Sequence, residues 1–224
     1  MEKVGLIGGT GDLGTALAIH IAKAYERVLV GSRNRDKAET AVRTIISESD
    51  KMIELESRLV PATNVDVVVE CDILVVTVPY ESAMQTIRDL IQDFRGNQLL
   101  ISAAASLTKV ENNEFSSDTG SKPLAVSMRE ILPRSIKVAT AFQTVPANVL
   151  YKAREIMNFD VLVACEDREA YSRASAFINS IPGFRALNVG SLDQAGQVEG
   201  LTSILLNIAI RNKLRSPTFR VESF

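Results

Sequence analysis

Apolar positions along the chain alternate between short continuous runs and stripes at helical spacing. Val4–Ile7 is a run of the first kind, and Leu13, Leu17, Ile21 and Ala24 follow it three and four residues apart. The runs predict buried strands and the stripes amphipathic helices. "RVLVGSR" (Arg27–Arg33) reads as a second strand, with a helix from Asp36 to Ser49. "RLVPATN" gives a short third strand and leads into a small helix near Asn64–Glu70. "CDILVVTVP" (Cys71–Pro79) is β-branched and apolar, a central strand ended by its proline. Ala83, Ile87, Leu90, Ile91 and Phe94 mark a helix over Glu81–Phe94. "NQLLISAAA" supplies a fifth strand and Ile136–Phe142 a sixth. Such alternation predicts an α/β fold, a doubly wound and mainly parallel sheet with right-handed crossovers.

Beyond Thr144 the pattern changes. "FDVLVACE" and "FRALNVGS" read as strands around a helix from Arg168 to Ile181, and Gln194–Lys213 forms a long last helix. The expected organisation is therefore a nucleotide-binding domain over residues 1–144 and a small C-terminal α/β extension over 145–224. The last helix carries Val198, Leu201, Ile204, Leu205, Leu206, Ile208, Ala209 and Ile210, so it is apolar nearly all round. A helix of that kind needs cover on several sides. Little chain remains to provide it, which points to a homodimer. The polar segment Glu111–Lys122 reads as a loop, either a solvated connection or a lid beside a ligand cleft.

The glycines explain what the first strand and helix are for. Gly9, Gly11 and Gly14 satisfy G-x-G-x-x-G, with Gly8 as an additional glycine in front. Strand, glycine turn and helix form the context in which this motif binds a dinucleotide, its pyrophosphate resting on amides at the helix start. The fold is thus of the Rossmann type. Asp12 is a carboxylate inside that loop, and a helix-capping role would turn its charge away from phosphate. For NAD, an acidic residue about 20 positions past the glycines would hold the ribose 2′-hydroxyl. Here the second strand ends in Gly31-Ser32-Arg33, with Lys37 close behind and Asp36 better placed for the first turn of the next helix. A hydroxyl at Ser32, a guanidinium at Arg33 and an ammonium at Lys37 suit a 2′-phosphate, so the expected nucleotide is NADP.

Composition narrows the chemistry. The formal net charge of −2 gives no reason to expect nucleic acid or an anionic membrane as partner. The most apolar late stretch, Leu201–Ile210, is too short to span a bilayer. Cys71 and Cys165 form no C-x-x-C, which suits a reducing cytoplasmic setting. The single histidine, His20, falls within the first helix, where packing or surface roles suit it; no Ser-His-Asp or Cys-His arrangement can be assembled, and no metal site is expected. The Tyr and Lys four residues apart of short-chain dehydrogenases are missing too, since Leu29, Met84, Glu155 and Ser175 follow the four tyrosines at that distance. Hydride transfer between two redox cofactors needs no such residues, because both rings bring their own electronics and the protein stacks and orients them.

"VGLIGGTGDLGTALA", "VLVGSR", "ILVVTVPYESAMQTIRDL", "VATAFQTVPA" and "VEGLTSILLNIAI" resemble, in order and spacing, the NADPH-dependent reductases of the deazaflavin coenzyme F420, which are mainly archaeal and actinobacterial. The resemblance runs over nearly the whole chain. It implies an oxidoreductase that passes a hydride between C5 of the deazaflavin and C4 of the nicotinamide at the carboxyl ends of the strands. By position, Thr10, Gly11, Asp12 and Leu13 would sit on the pyrophosphate, and Ser32, Arg33 and Lys37 on the 2′-phosphate. Val78, Pro79 and Tyr80 would border the adenosine and nicotinamide ribose, and Ala103 and Ala104 would approach the nicotinamide. Gln143, Thr144, Val145 and Pro146 would line the deazaflavin pocket with Leu206 and Asn207. No catalytic side chain is implied, since the hydride passes between the bound cofactors. Gln143 stands where some relatives carry histidine, and "SAAASL" (Ser102–Leu107) departs from their Pro- or Asn-containing versions. Two alternatives remain open at this point: an NADPH-dependent reductase of a flavin, ferric chelate or imine on the same fold, and a non-catalytic module that senses NADP.

Overall fold

The N-terminal run becomes β1 (Val4–Ile7) and the first stripe α1 (Asp12–Ile21) in this computed structural model, which describes residues 2–49, 52–117, 122–152 and 157–223. Next come β2 (Val28–Ser32), α2 (Arg35–Glu48), α3 (Met52–Arg58), β3 (Leu59–Thr63), α4 (Asn64–Glu70) and β4 (Ile73–Val76). α5 (Tyr80–Asp89) follows, ending five residues before Phe94. A separate 3-10 turn, Ile91–Asp93, takes up the remainder. β5 (Leu99–Ser102) leads into a ribbon of two short strands, β6 (Thr108–Lys109) and β7 (Phe115–Ser116), paired antiparallel. The expected loop over 111–122 therefore contains β7. Its residues 118–121 lie outside the described set. α6 (Leu124–Ile131), β8 (Lys137–Thr140), α7 (Ala147–Lys152), β9 (Phe159–Cys165), α8 (Arg168–Ser180), β10 (Phe184–Ser191) and α9 (Ala195–Asn212) complete the order.

Eight strands form one sheet in the order β10-β9-β8-β5-β4-β1-β2-β3. The order reverses beside β1, where β2 pairs on one edge and β4 on the other, both parallel. Such a switch point opens a crevice at the carboxyl ends of the strands, because the crossovers leave it in opposite directions. Among the described residues of this sheet only β9 runs against its neighbour, β8, and β10 then pairs parallel to β9. The chain beyond residue 144 thus extends the same sheet. Pro61 is accommodated because β3 is an edge strand, where a missing N–H breaks no inner ladder.

Both faces of the sheet are covered, which is why the strands read as continuous apolar runs. Leu6, Leu17, Val30, Ile101, Phe142 and Phe177 pack on one face, with Ile7, Val67, Leu74, Ile87, Met128 and Leu192 on the other. His20 is buried in the first of these layers. Its Nε2–H donates to the Leu150 carbonyl at 2.9 Å, joining α1 to α7, and its Nδ1 lies 3.2 Å from Lys23 Nζ. α9 is covered on one side only. Val198 and Ser203 face the protein, while Ile204, Ile208 and Ile210 are 52%, 39% and 42% exposed. Among the described residues no helix is long and apolar enough to cross a membrane.

Candidate functional site: the nucleotide crevice

The turn after β1 depends on Gly8, whose φ of +73° is the left-handed region that glycine tolerates. A Cβ there would stand 2.2 Å from Val78 Cγ1, so a side chain would drive the loop away from the end of β4. The Gly8 N–H donates to Asn64 Oδ1 at 3.0 Å, and Asn64 is buried at the start of α4. Gly14 serves packing instead: its Cβ would lie 2.6 Å from Gly9 Cα, so α1 rides directly on the loop. At Gly11 the surroundings are open, with nothing nearer a Cβ than Gly8 O at 3.9 Å. Gly11 is also the N-cap of α1, and no side chain caps the helix. First-turn amides therefore face an open cradle, the arrangement that receives a pyrophosphate. Asp12 is the first helical residue and lies exposed; its side chain makes no capping bond, so the capping role expected for it is not realised.

At the tip of β2, Ser32 is buried and its Oγ accepts the Asn34 N–H at 3.4 Å. Asn34 in turn caps α2 through Asp36 N at 2.7 Å, which places Asp36 in the first helical turn. Arg35 stands 3.7 Å from both Glu39 and Asp66. Arg33 and Lys37 are exposed and pair with no carboxylate among the described residues. Two uncommitted cations beside a hydroxyl fit a phosphate monoester.

Along the floor of the crevice, Thr77 Oγ1 donates to the Ile7 carbonyl at 3.1 Å, closing β1 onto β4. Val78 and Pro79 follow, Pro79 as N-cap and Tyr80 as first residue of α5. Ala103 and Ala104 are buried just past β5, with the Ala103 N–H on Val76 O at 3.1 Å. Gln143 folds back over this edge. Its amide donates to Ser102 O at 2.9 Å, to Ala104 O at 3.5 Å and to Thr140 Oγ1. The turn that allows it is made by Phe142, a buried aromatic residue at φ +77° held between Phe177 and Phe184. A bulky side chain in the left-handed region stores strain that its surroundings must hold in place. Gln143 Oε1 and Ser102 Oγ are buried without a hydrogen-bond partner among the described residues. Thr144 and Val145 are buried beside them, and Pro146 is half-buried.

The structure thus brings the glycine loop, Ser32–Lys37, Val78–Tyr80, Ala103–Ala104 and Gln143–Pro146 to the carboxyl ends of adjacent strands. α9 joins through Thr202 Oγ1, which donates to the Gln143 carbonyl at 3.0 Å. Leu206 is half-buried on that helix. The Asn207 amide is committed to both backbone groups of Phe115, at 2.7 and 2.8 Å. Sequence reading gave no site role to Gly8, Asn64, Thr77, Ser102 and Thr202. Gly8 stood out as the glycine outside the motif and Ser102 as the start of "SAAASL"; Asn64, Thr77 and Thr202 instead reach partners distant in sequence.

Elsewhere the titratable groups offer little reactivity. Burial pushes the Cys71 thiol up to about 12 and raises that of Cys165. The same effect, with Lys23 adding to it, takes His20 down to about 4 against the pull of the Leu150 carbonyl. Burial and the hydrogen bond to Glu48 push the Tyr151 phenol up to about 12. No cluster of three metal-ligating side chains occurs among the described residues.

Sheet order, glycine turn and crevice define a protein of the Rossmann class. Residues 3–106 match the family described as "NADP oxidoreductase coenzyme F420-dependent". The F420-dependent NADP reductase of Methanothermobacter thermautotrophicus is 32% identical over 232 residues, covering 98% of this chain and 94% of that protein. That of Methanocaldococcus jannaschii is 30% identical, with 98% and 97% covered. A crystal structure from Arthrobacter sp. FB24, described as a candidate F420-dependent NADP-reductase, superposes with a TM-score of 0.78 at 16% identity over the full length of both chains. An imine reductase from Bacillus cereus shares the fold at a TM-score of 0.63 and 13% identity, over 96% of this chain and 63% of its own. The chain belongs to the F420-dependent NADP reductase family.

Proposed function

We propose that the protein is an oxidoreductase that transfers a hydride between NADP(H) and coenzyme F420. The end-to-end identity with F420-dependent NADP reductases carries this reading, and the crevice supports it. In this reading the amides of Thr10–Leu13 at the start of α1 bind the pyrophosphate, and Gly9 and Gly14 keep that loop tight against the helix. Ser32, Arg33 and Lys37 hold the 2′-phosphate. Val78, Pro79 and Tyr80 border the ribose, and Ala103 and Ala104 leave a flat apolar bed for the nicotinamide. Gln143, Thr144, Val145, Pro146 and Leu206 border the deazaflavin, with Asn207 fixing the β6–β7 ribbon against α9. The two bound rings supply the redox chemistry, and the chain's own task is to orient them and keep water out.

The exposed isoleucines of α9 support a homodimer, since a helix with that much bare apolar surface is stabilised by a second copy. Residues 1–144 form the nucleotide-binding part in this reading, and 145–224 the part that serves the deazaflavin and the dimer; the antiparallel step from β8 to β9 marks the change. Two buried free thiols and a net charge of −2 fit a cytoplasmic enzyme of small cofactors, without nucleic acid or membrane partners.

Mixing the protein with NADPH and oxidised coenzyme F420 is expected to bleach the deazaflavin's visible band. Bleaching only with flavin, or consumption of NADPH only with ferric chelate or imine, would transfer the assignment to another acceptor. Tight NADP binding with no turnover of any of these would make the protein a sensor.

A further inference from the structure

Glu199 lies on the inner side of α9 and is only 3% exposed. One carboxylate oxygen accepts the Leu124 N–H at 3.3 Å, at the first residue of α6. The cap position before it is Pro123, which makes no side-chain cap and has no N–H. Glu199 thus caps α6 from another element and ties α9 to it. The contact is close: a Cβ at Gly196, on the preceding turn, would sit 3.2 Å from Pro123 Cγ.

No cation compensates this carboxylate among the described residues. From α6, Arg129 is spent on Glu166 and three carbonyls, and Glu130 pairs with Lys122. In the turn before α9, Asp193 accepts from Ser191. On β9, Asp160 is held by Arg185 of β10. Arg211, near the end of α9, reaches Glu114 next to β7. Burial accordingly pushes the Glu199 carboxyl up to about 7, and the Leu124 N–H only partly offsets it. Glu199 also lines a groove of about 930 Å³ between α9, the β7 segment and the edge of β9 and β10, so water is at hand when the group ionises.

We propose that Glu199 is a pH-operated latch: protonated, it seals α9 against α6; ionised, it draws water in from the groove and loosens the N-terminal half of α9. That half holds Thr202 on the Gln143 carbonyl, so the latch regulates the acceptor side of the crevice and leaves the nucleotide side alone. This last consequence rests on the function proposed above; the latch itself does not.

Three measurements on the whole protein test it between pH 5.5 and 8.5. ¹³C NMR of the labelled Glu199 carboxyl should show a midpoint well above the ordinary carboxylate value of about 4.3. Amide-exchange protection factors over residues 196–204, corrected for intrinsic pH dependence, should fall roughly tenfold across that midpoint. In Glu199→Gln, whose amide oxygen still accepts the Leu124 N–H, the protection should stay flat. A midpoint near the ordinary value, or the same pH dependence in the variant, overturns the latch. The KM for coenzyme F420 should rise across the midpoint while the KM for NADPH stays constant. An F420 KM that does not follow the protection factors overturns the regulatory consequence. Absence of F420 turnover at every pH instead removes the proposed acceptor and leaves the latch standing on the first two measurements.

Discussion

On Arg33 rests the proposed preference for a 2′-phosphorylated nucleotide. Its guanidinium is exposed and pairs with no carboxylate among the described residues, next to a buried serine and an equally uncommitted Lys37. A charge-assisted pair with a 2′-phosphate contributes about 1.5–3 kcal/mol. Arg33→Ala should therefore raise the NADPH KM by roughly 10- to 150-fold and leave the NADH KM almost untouched. Steady-state kinetics with both nucleotides checks this; an unchanged NADPH/NADH ratio rejects the phosphate site. The end of β2 at Ser32 and the place of Asp36 in the first turn of α2 were legible in the sequence because their logic is local, a strand tip and the turn after it. Asp12 was less so. Nothing in the residue names says that Gly11 occupies the cap and leaves the carboxylate outside. Asn64 could not be read at all, since its bond to Gly8 joins residues 56 apart.

At the scale of elements, α1 and α7 are joined by a histidine that must stay neutral to stay buried. His20 donates one ring N–H to Leu150 and is 2% exposed. Its value of about 4 in the fold lies below the ordinary 6.5, so the unfolded chain takes up the proton first as pH falls. The stability it supports is complete above pH 6.5, declines between 6.5 and about 4, and is then lost, by up to about 3 kcal/mol. His20→Gln keeps a donor for Leu150 and removes the titration. Urea unfolding of the two proteins over that range should give a shallower pH slope for the variant. The strands were foreseen because an apolar run survives burial on both faces, yet such a run carries no direction. The reversal of β9 was accordingly invisible. α6 and α7 escaped notice for another reason: with 8 and 6 residues they offer barely two turns of periodicity. The stripe over Glu81–Phe94 ran past the real end of α5, because Ile91 in the 3-10 turn after it and Leu90 and Phe94 at that turn's two ends stay apolar.

For the molecule as a whole, α9 is the element on which the proposed dimer rests. Ile204 and Ile208 are exposed one turn apart on it, and Ile210 is exposed on another side. Replacing Ile204 and Ile208 together by glutamate should convert the proposed dimer into a monomer, read by sedimentation velocity, with the far-ultraviolet dichroism unchanged. A wild-type protein already monomeric at micromolar concentration would remove the dimer from the reading. The end of the sheet bears on association too. β3 closes one side of it, and Pro61 sits in the middle of that five-residue strand. A proline leaves a gap in the row of donors that an intruding chain would need, and natural edges use such gaps against runaway stacking. Growth into fibres through that border is discouraged by one imino acid, and in the proposed dimer the helical side takes the contact and ends it at two copies.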